Sequence, residues 1–488
     1  MSLLERRPFL KLLGLALSSI GASDLLSACG ITAPYPNILL ITADDLNWDS
    51  LGISCAGAPD PTPNLDRLAA EGMRFERAHV ASALCIPSRS ALFTGLHPHN
   101  NGAQGFEPIR PEVTPLTEML YYARYRNGII GKVTHLRPIE KFFWQEVYPE
   151  ETLGRGRDPA AYHRATKDFI GKALAAERPF FLMANIHDPH RPFHGSDAEK
   201  SAFGERLAEI PPPSRVYRPE EVRVPGFLPD LPEVRIEIAQ YYSSVRRCDD
   251  SVGAILKALE ESGVADHTIV LFLSDNGMSF PFAKTTCYPH GTRTPLIVRW
   301  PGRVPQGKVD RTHFISGVDL LPTLLDMIGM AIPLGLDGAS HRNLMLGRSQ
   351  AGEESLVTSL HATAAERLYP TRALHHGRYV YIYNAWSNRR TEFIAEPQKG
   401  LTWSAMLRAA ERDPGIAERV DLYLYRTREE LYDLESDPDA LTNLAQDPGH
   451  REVLEESRDR LLKWMAASGD WLGEKYSRVI ARLRWEGS

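Results

Sequence analysis

The sequence has little cysteine for its length, five residues in 488. So few cannot form the disulfide framework of a stapled scaffold, and the odd number leaves at least one thiol unpaired. The chain also lacks any dense run of lysine and arginine, and its formal net charge is -6. That excludes a dedicated nucleic-acid binder, which presents a basic stripe to the phosphates. No apolar run reaches the ~20 residues that a membrane-spanning helix needs. No internal repeat or low-complexity tract interrupts the chain. With 43% apolar and 24% charged residues, the composition is that of a globular protein with a sizeable core.

The first thirty residues read as an address rather than as fold. Arg6-Arg7 precede Phe9-Leu10-Lys11 and a short apolar run from Leu12 to Ile20. This resembles a twin-arginine export signal, with Glu5 where a serine is usual. Leu26-Ser27-Ala28-Cys29 resembles a bacterial lipobox. The expectation is a signal peptide over residues 1–29, lipidation of Cys29, and an exported protein of the periplasm or cell surface. Its only tie to a membrane would be that lipid.

Pro34-Tyr35-Pro36 forms a stiff linker, after which strand and helix patterns alternate. Continuous apolar runs end the strand candidates at 37–42, 127–131, 179–184 and 268–273, as expected of strands buried on both faces. Helical patterns fill 64–71, 161–176 and 233–262, so an α/β sheet sandwiched by helices is predicted. Residues 191–232 are rich in proline and charge and read as a long surface excursion. Beyond about residue 350 the texture changes to alternating strands at 378–383 and 430–434 and an amphipathic helix at 453–467. The predicted organisation is a catalytic domain at 36–350 and a smaller C-terminal α+β domain with an antiparallel sheet at 351–488.

Ligands of such sheets bind beyond the carboxyl ends of the strands. Asp44-Asp45 follows the first run, His187 and His190 the third, and Asp275-Asn276 the fourth. The two acidic pairs offer four hard oxygen ligands, which suit Ca²⁺ or Mg²⁺ better than zinc. Cys85-Ile86-Pro87-Ser88-Arg89 places an arginine one helical turn after a cysteine, and the run continues to Thr94-Gly95. On chemistry alone this is either an activated thiolate or a small buried hydrophobe.

The run Cys85-x-Pro87-Ser88-Arg89-x-x-Leu92-x-Thr94-Gly95 resembles the signature of the type I, formylglycine-dependent sulfatases. The similarity extends from Asn37 to about Leu472. It is nearest the N-sulfoglucosamine sulfohydrolase branch through Gly128-Ile129-Ile130-Gly131-Lys132, His187-Asp188-Pro189-His190-Arg191, Val224–Asp230 and Ser274-Asp275-Asn276-Gly277. The resemblance implies an alkaline-phosphatase-like fold with a large, mixed but mostly parallel sheet. It also implies oxidation of Cys85 to Cα-formylglycine by a formylglycine-generating enzyme. Asp44, Asp45, Asp275, Asn276 and residue 85 would hold one Ca²⁺. The hydrated aldehyde would attack sulfur. Arg89 would sustain that nucleophile, Lys132 and Lys284 would bind sulfate oxygens, His190 or Lys284 would protonate the leaving atom, and His135 would take the proton that releases sulfate.

Two departures bear on these roles. His135 stands three residues after Lys132 where the family has Lys-x-His, and Lys284 replaces the sulfamidase arginine. The substrate implied is a sulfated saccharide, N- or O-sulfated, attacked from its end. His187, Asp188, Arg191 and Arg372 are candidate sugar contacts. Cys55, Cys248 and Cys287 read as free thiols, and His97 and His99 as surface loop residues. Two alternatives remain open on sequence alone. One is a phosphodiester or phosphonate monoester hydrolase of the same superfamily. The other is a glycan-binding lipoprotein never converted at Cys85.

Overall fold

The computed structural model describes residues 35–54, 57–352, 354–364 and 366–486. The export signal, Cys29 and Cys55 lie outside the described residues. From Asn37 onward the chain forms one compact unit.

Eight strands make the main sheet: β1 (Asn37–Asp44), β2 (Met73–Phe75), β3 (Arg126–Ile130), β4 (Glu146–Tyr148), β5 (Phe180–Pro189), β6 (Thr268–Ser274), β7 (Leu296–Arg299) and β8 (Lys308–Asp310). Their spatial order is β4-β3-β5-β1-β6-β7-β2-β8. The five strands from β4 to β6 run parallel, and β7 is antiparallel to both its neighbours.

Why the central strands are apolar throughout follows from their two-sided burial. Successive side chains point to opposite faces of a strand. Leu39 and Ile41 of β1 enter one hydrophobic cluster, together with Leu182 of β5 and Phe272 of β6. Ile38 and Leu40 enter the other, with Met183 and Leu271. Helices α1 (Pro63–Glu71), α3 (Pro159–Ala175) and α4 (Pro232–Glu261) cover the first face. Helix α2 (Cys85–Thr94) sends Leu92 and Phe93 into the second. Each fully buried Leu, Ile or Phe contributes about 1.5–3 kcal/mol relative to exposure.

Strand β5 runs to Pro189, past the predicted end at Ala184. Its last residues, Asn185 to Pro189, are mostly polar and carry no strand pattern. They are in the sheet because β1 pairs with them, Thr42 opposite Asn185 and Asp44 opposite Pro189, with a register shift between. That irregularity, followed by Asp45 at φ 67, turns the end of β1 inward.

A second sheet, antiparallel throughout, runs in the order β9 (Ser355–Ala362), β10 (Leu368–His376), β11 (Tyr379–Asn384), β12 (Glu429–Asp433). The strands β11 and β12 and the helix α5 (Arg451–Ser468) stand where the sequence pattern places them, while β9 and β10 carry no pattern that announced them. One face of this sheet, through Leu360, Ala373, Val380 and Ile382, joins the cluster that holds Leu39 and Ile41. The other face packs on Leu454, Leu461 and Met465 of α5. His97 and His99 are not surface residues. They are buried, their rings stack at 5.7 Å, and both meet the edge of Trp464 on α5.

Candidate active site

The carboxyl ends of β3, β5, β1 and β6 converge on a cluster of buried charge. Asp44, Asp45, Asp275 and Asn276 are completely buried. Gly277 has to follow Asn276, because a side chain there would overlap the His290 carbonyl. Helix α2 begins at Cys85 and stops at Gly95, a left-handed C-cap at φ 65. Its N-terminus, the end of a helix that favours negative charge, thereby carries residue 85.

Arg89 lies one turn further along α2. Its Nε donates to Asp275 Oδ2 at 3.0 Å and its Nη2 to Asp44 Oδ2 at 3.3 Å. Its Nη1 donates to Thr42 Oγ1 at 3.0 Å and to Asn185 Oδ1 at 2.5 Å. Burial opposes this charge, yet Asp275 and Asp44 outweigh it and hold the guanidinium above its ordinary range. Lys132 Nζ is 2.8 Å from Asp44 Oδ2, and Lys284 Nζ is 2.8 Å from Asp45 Oδ2. Burial likewise opposes Lys284, but Asp45 and Glu396 hold its pKa well above normal.

The carboxylates respond unequally. Burial works to raise Asp44, but Lys132, His190 and Arg89 pull it well below the usual range. Asp45 is raised well above that range by burial, which Lys284 only partly offsets and to which Asp44 adds. Asp275 is raised by burial and by Asp44.

The donor set fits a divalent cation of the hard class. Asp44 Oδ1 and Asn276 Oδ1 are buried with no hydrogen-bond partner. A buried acceptor left so is costly unless something else occupies it. The Asn276 amide is held in one orientation because its Nδ2 donates to Asp45 Oδ1 at 2.7 Å and to the Gly277 carbonyl. Ligand atoms of Asp44, Asp45 and His190 lie within 4.8 Å of one another.

Residue 85 opens onto this cluster and is 6% exposed. Burial pushes its thiol up to about 12, against which Lys284 does little. As cysteine it would be a protonated, inert thiol at neutral pH. Of the two readings that chemistry left open, an activated thiolate has no support here.

His190 Nδ1 meets the Arg191 carbonyl at 2.6 Å. A carbonyl only accepts, so Nδ1 carries a proton and Nε2 faces the cluster, 4.0 Å from Asp44 and 3.9 Å from Asp45. Burial first, then Lys284, push the ring down to about 4. His135 lies near enough to Lys132 and Asp44 to feel their charge. Gly131 and Lys132 both take positive φ, and the 3₁₀ turn Val133–His135 folds back on Lys132. Burial first, then the Lys132 charge, push His135 down to about 2.

The proposed sugar contacts divide. His187 lies beside His190, ring centroids 5.2 Å apart, at the edge of the site. Asp188 is not available to a sugar. It is fully buried and taken by Arg247 Nε at 2.6 Å and Arg157 Nε at 3.2 Å. The Arg247 pair anchors the loop that carries His190 to α4, and the Arg157 pair anchors it to the segment just before α3. Arg372 is also not a contact, since it is fully buried and paired twice with Asp470. Arg191 spends its guanidinium on Glu237 at 2.6 Å and on the Ser279 carbonyl at 2.8 Å. It serves as a clasp between loops.

One site residue escaped the sequence reading. Glu396 Oε2 lies 2.8 Å from Lys284 Nζ, and its Oε1 lies 3.8 Å from His190 Nε2. Burial acts to raise its pKa, but Lys284 and His190 hold it below the usual carboxylate range. It sits in a single turn, Glu396–Lys399, that Gln398 closes by accepting from Ala395 N at 2.8 Å. Nothing periodic marks that turn in the sequence.

A buried cradle of oxygens at parallel strand ends, a helix N-terminus with residue 85, and lysines on either side define a hydrolase site for an anionic ester. A sulfatase family model matches residues 36–330, and a model of the N-sulphoglucosamine sulphohydrolase C-terminal region matches residues 278–392. The chain belongs to the sulfatase family and is an enzyme that hydrolyses sulfate groups. It is 32% identical over 472 residues to the N-sulphoglucosamine sulphohydrolase of Homo sapiens, covering 91% of this chain and 93% of that protein. Among solved structures, a 2-O GAG sulfatase matches with a TM-score of 0.66 at 22% identity, over 89% of this chain and 93% of that one. The phosphonate monoester hydrolase of Agrobacterium radiobacter matches with 0.64 at 20% identity, over 89% and 96%. These two likenesses show a shared fold and do not separate one reaction from the other.

Arg89 holds two strand ends and helix α2 together, so its removal has a defined cost. Arg89→Ala leaves Asp44 and Asp275 buried without their shared partner. We expect a loss of about 3–5 kcal/mol, the range for breaking one side of a buried ion pair. Urea unfolding measures it, and a loss under 1 kcal/mol would contradict the paired geometry.

Proposed function

We propose that the protein removes a sulfate group, from nitrogen or oxygen, from the end of a sulfated amino-sugar chain. In this reading Cys85 is converted to formylglycine, and Asp44, Asp45, Asp275, Asn276 and residue 85 hold one Ca²⁺. The observation that carries it is the pair of buried, unpartnered oxygens on Asp44 and Asn276, in a cluster whose Asp44 and Asp275 act on residue 85 at the start of α2. The sulphohydrolase relative supports the amino sugar.

When present, the calcium ion and the formylglycine supply a fixed divalent charge and an oxygen nucleophile where the buried thiol offers neither. The remaining work belongs to the side chains. Lys132 and Lys284, both buried, present their ammonium groups to the sulfate oxygens and stabilise charge that grows there. Arg89 pairs with Asp44 and Asp275 and holds them in place. His190, fixed by its Nδ1 hydrogen bond, turns the acceptor atom Nε2 to the leaving group, and Lys284, kept protonated by Asp45 and Glu396, delivers the proton. His135, held neutral beside Lys132, is placed to accept one when sulfate departs.

Sulfate release from defined N- and O-sulfated saccharides, by protein co-expressed with a formylglycine-generating enzyme, tests the proposal. Cys85→Ala should be inactive and folded. Cys85→Ser keeps an oxygen nucleophile but has no second hydroxyl with which to expel sulfate. It should accumulate a covalent sulfo group, visible by intact mass, and stop after one turnover. Repeated turnover by the serine variant would contradict the mechanism.

We also propose export, with Cys29 lipidated. Cys29→Ser should then move the protein from the membrane fraction to the soluble one, and unchanged fractionation would overturn the anchor.

A further inference from the structure

The site holds more negative charge than an anion-hydrolysing site has use for. Three carboxylates of the cradle face Arg89, Lys132 and Lys284, and a divalent cation would tip that balance toward the sulfate. Glu396 then adds a further carboxylate, brought from a distant part of the chain. Its placement is specific. The cradle residues and Lys284 are at most 1% exposed, whereas His190 and Glu396 are 22% and 21% exposed by side chain. A substrate whose sulfate enters the cradle thus meets His190 and Glu396 with the part that remains outside, the leaving atom and its sugar. Three ties keep Glu396 there: Lys284, a 3.5 Å contact from Ser279 Oγ, and the Arg191–Glu237 clasp. Glu237 also accepts from Leu401 N and Thr402 N just beyond the Glu396 turn.

The two candidate bonds ask opposite things of a charge at that position. Hydrolysis of R–NH–SO₃⁻ with water gives R–NH₃⁺ and SO₄²⁻. The S–N electron pair stays on nitrogen, which takes one proton from Lys284 and a second from solvent, and the two protons of the attacking water restore both, leaving the amine cationic. Hydrolysis of R–O–SO₃⁻ gives R–OH, SO₄²⁻ and a released proton, and the leaving oxygen passes through negative charge. A carboxylate beside the leaving atom stabilises the first and opposes the second.

Resting on the sulfatase reading above, we propose that Glu396 is a specificity-determining residue that reads the leaving atom, favouring an amine over an alcohol. It pairs with the nitrogen as positive charge develops and binds the ammonium of the product sugar.

The test compares the wild-type enzyme with Glu396→Gln and Glu396→Asp. With N-sulfoglucosamine, Glu396→Gln should lose about a hundredfold in kcat/KM, within the range for one group acting at a transferred proton. With glucose 6-sulfate, kcat/KM should hold or rise, and Glu396→Asp should keep part of the preference for nitrogen. An equal fall on both substrates, or no fall on the first, overturns the proposal. So does a wild-type enzyme that cleaves only O-sulfate. Calorimetric binding of glucosamine and glucose, below the pKa of the amine, gives a readout without turnover. The wild type should prefer glucosamine at least tenfold and Glu396→Gln should not, and absence of that preference in the wild type also overturns it. A protein that releases no sulfate from any saccharide yet shows this preference would sink the sulfatase substrate and leave Glu396 standing.

Discussion

Three carboxylates packed together out of water are the condition that the rest of this molecule answers. Asp44, Asp45 and Asp275 are fully buried, and isolated charges so placed cost several kcal/mol each. Arg89 spans two of them, Lys132 and Lys284 take one oxygen each, and Asn276 ties itself to Asp45. Asp44 Oδ1 and Asn276 Oδ1 are left buried without a hydrogen-bond partner. Such a set of buried carboxylates fits a divalent cation of the hard class.

The fold delivers these groups by simple means. Parallel strands bring their carboxyl ends to one edge, and the register shift between Thr42 and Asp44 turns Asp44 and Asp45 inward. The buried Asp188 pairs and the Arg191 clasp hold the loop with His190. The second sheet closes over the same core through Leu360 and Ile382, and the chain beyond β11 lays Glu396 against Lys284.

Much of this was legible where chemistry and sequence are local. The acidic pairs follow apolar runs, so their place at strand ends was readable from pattern, and the resemblance to the sulfatase signature singled out Cys85 and Arg89 on one helical turn. His135 stands one residue beyond the family spacing, on a turn that follows positive φ at Gly131 and Lys132. What could not be read was partnership over distance. Asp188 and Arg372 look like free polar groups in a sequence, and only the folded chain sets Arg247 and Asp470 against them. Glu396 was missed for the same reason, since its partner Lys284 is far away in the chain. The polar end of β5 was lost because pairing with β1, not hydrophobic pattern, makes it a strand.

The central claim is that the cradle of Asp44, Asp45, Asp275 and Asn276 exists to hold one oxygen-liganded divalent cation. Thermal unfolding of the metal-free protein against added Ca²⁺ tests it most directly. Binding to the native state alone stabilises by about 2.7 kcal/mol at a hundredfold excess over Kd. The account predicts a saturable rise in Tm with Ca²⁺ that Asn276→Ala abolishes or shifts to much higher concentration. No response to Ca²⁺, or an equal response in Asn276→Ala, would contradict it.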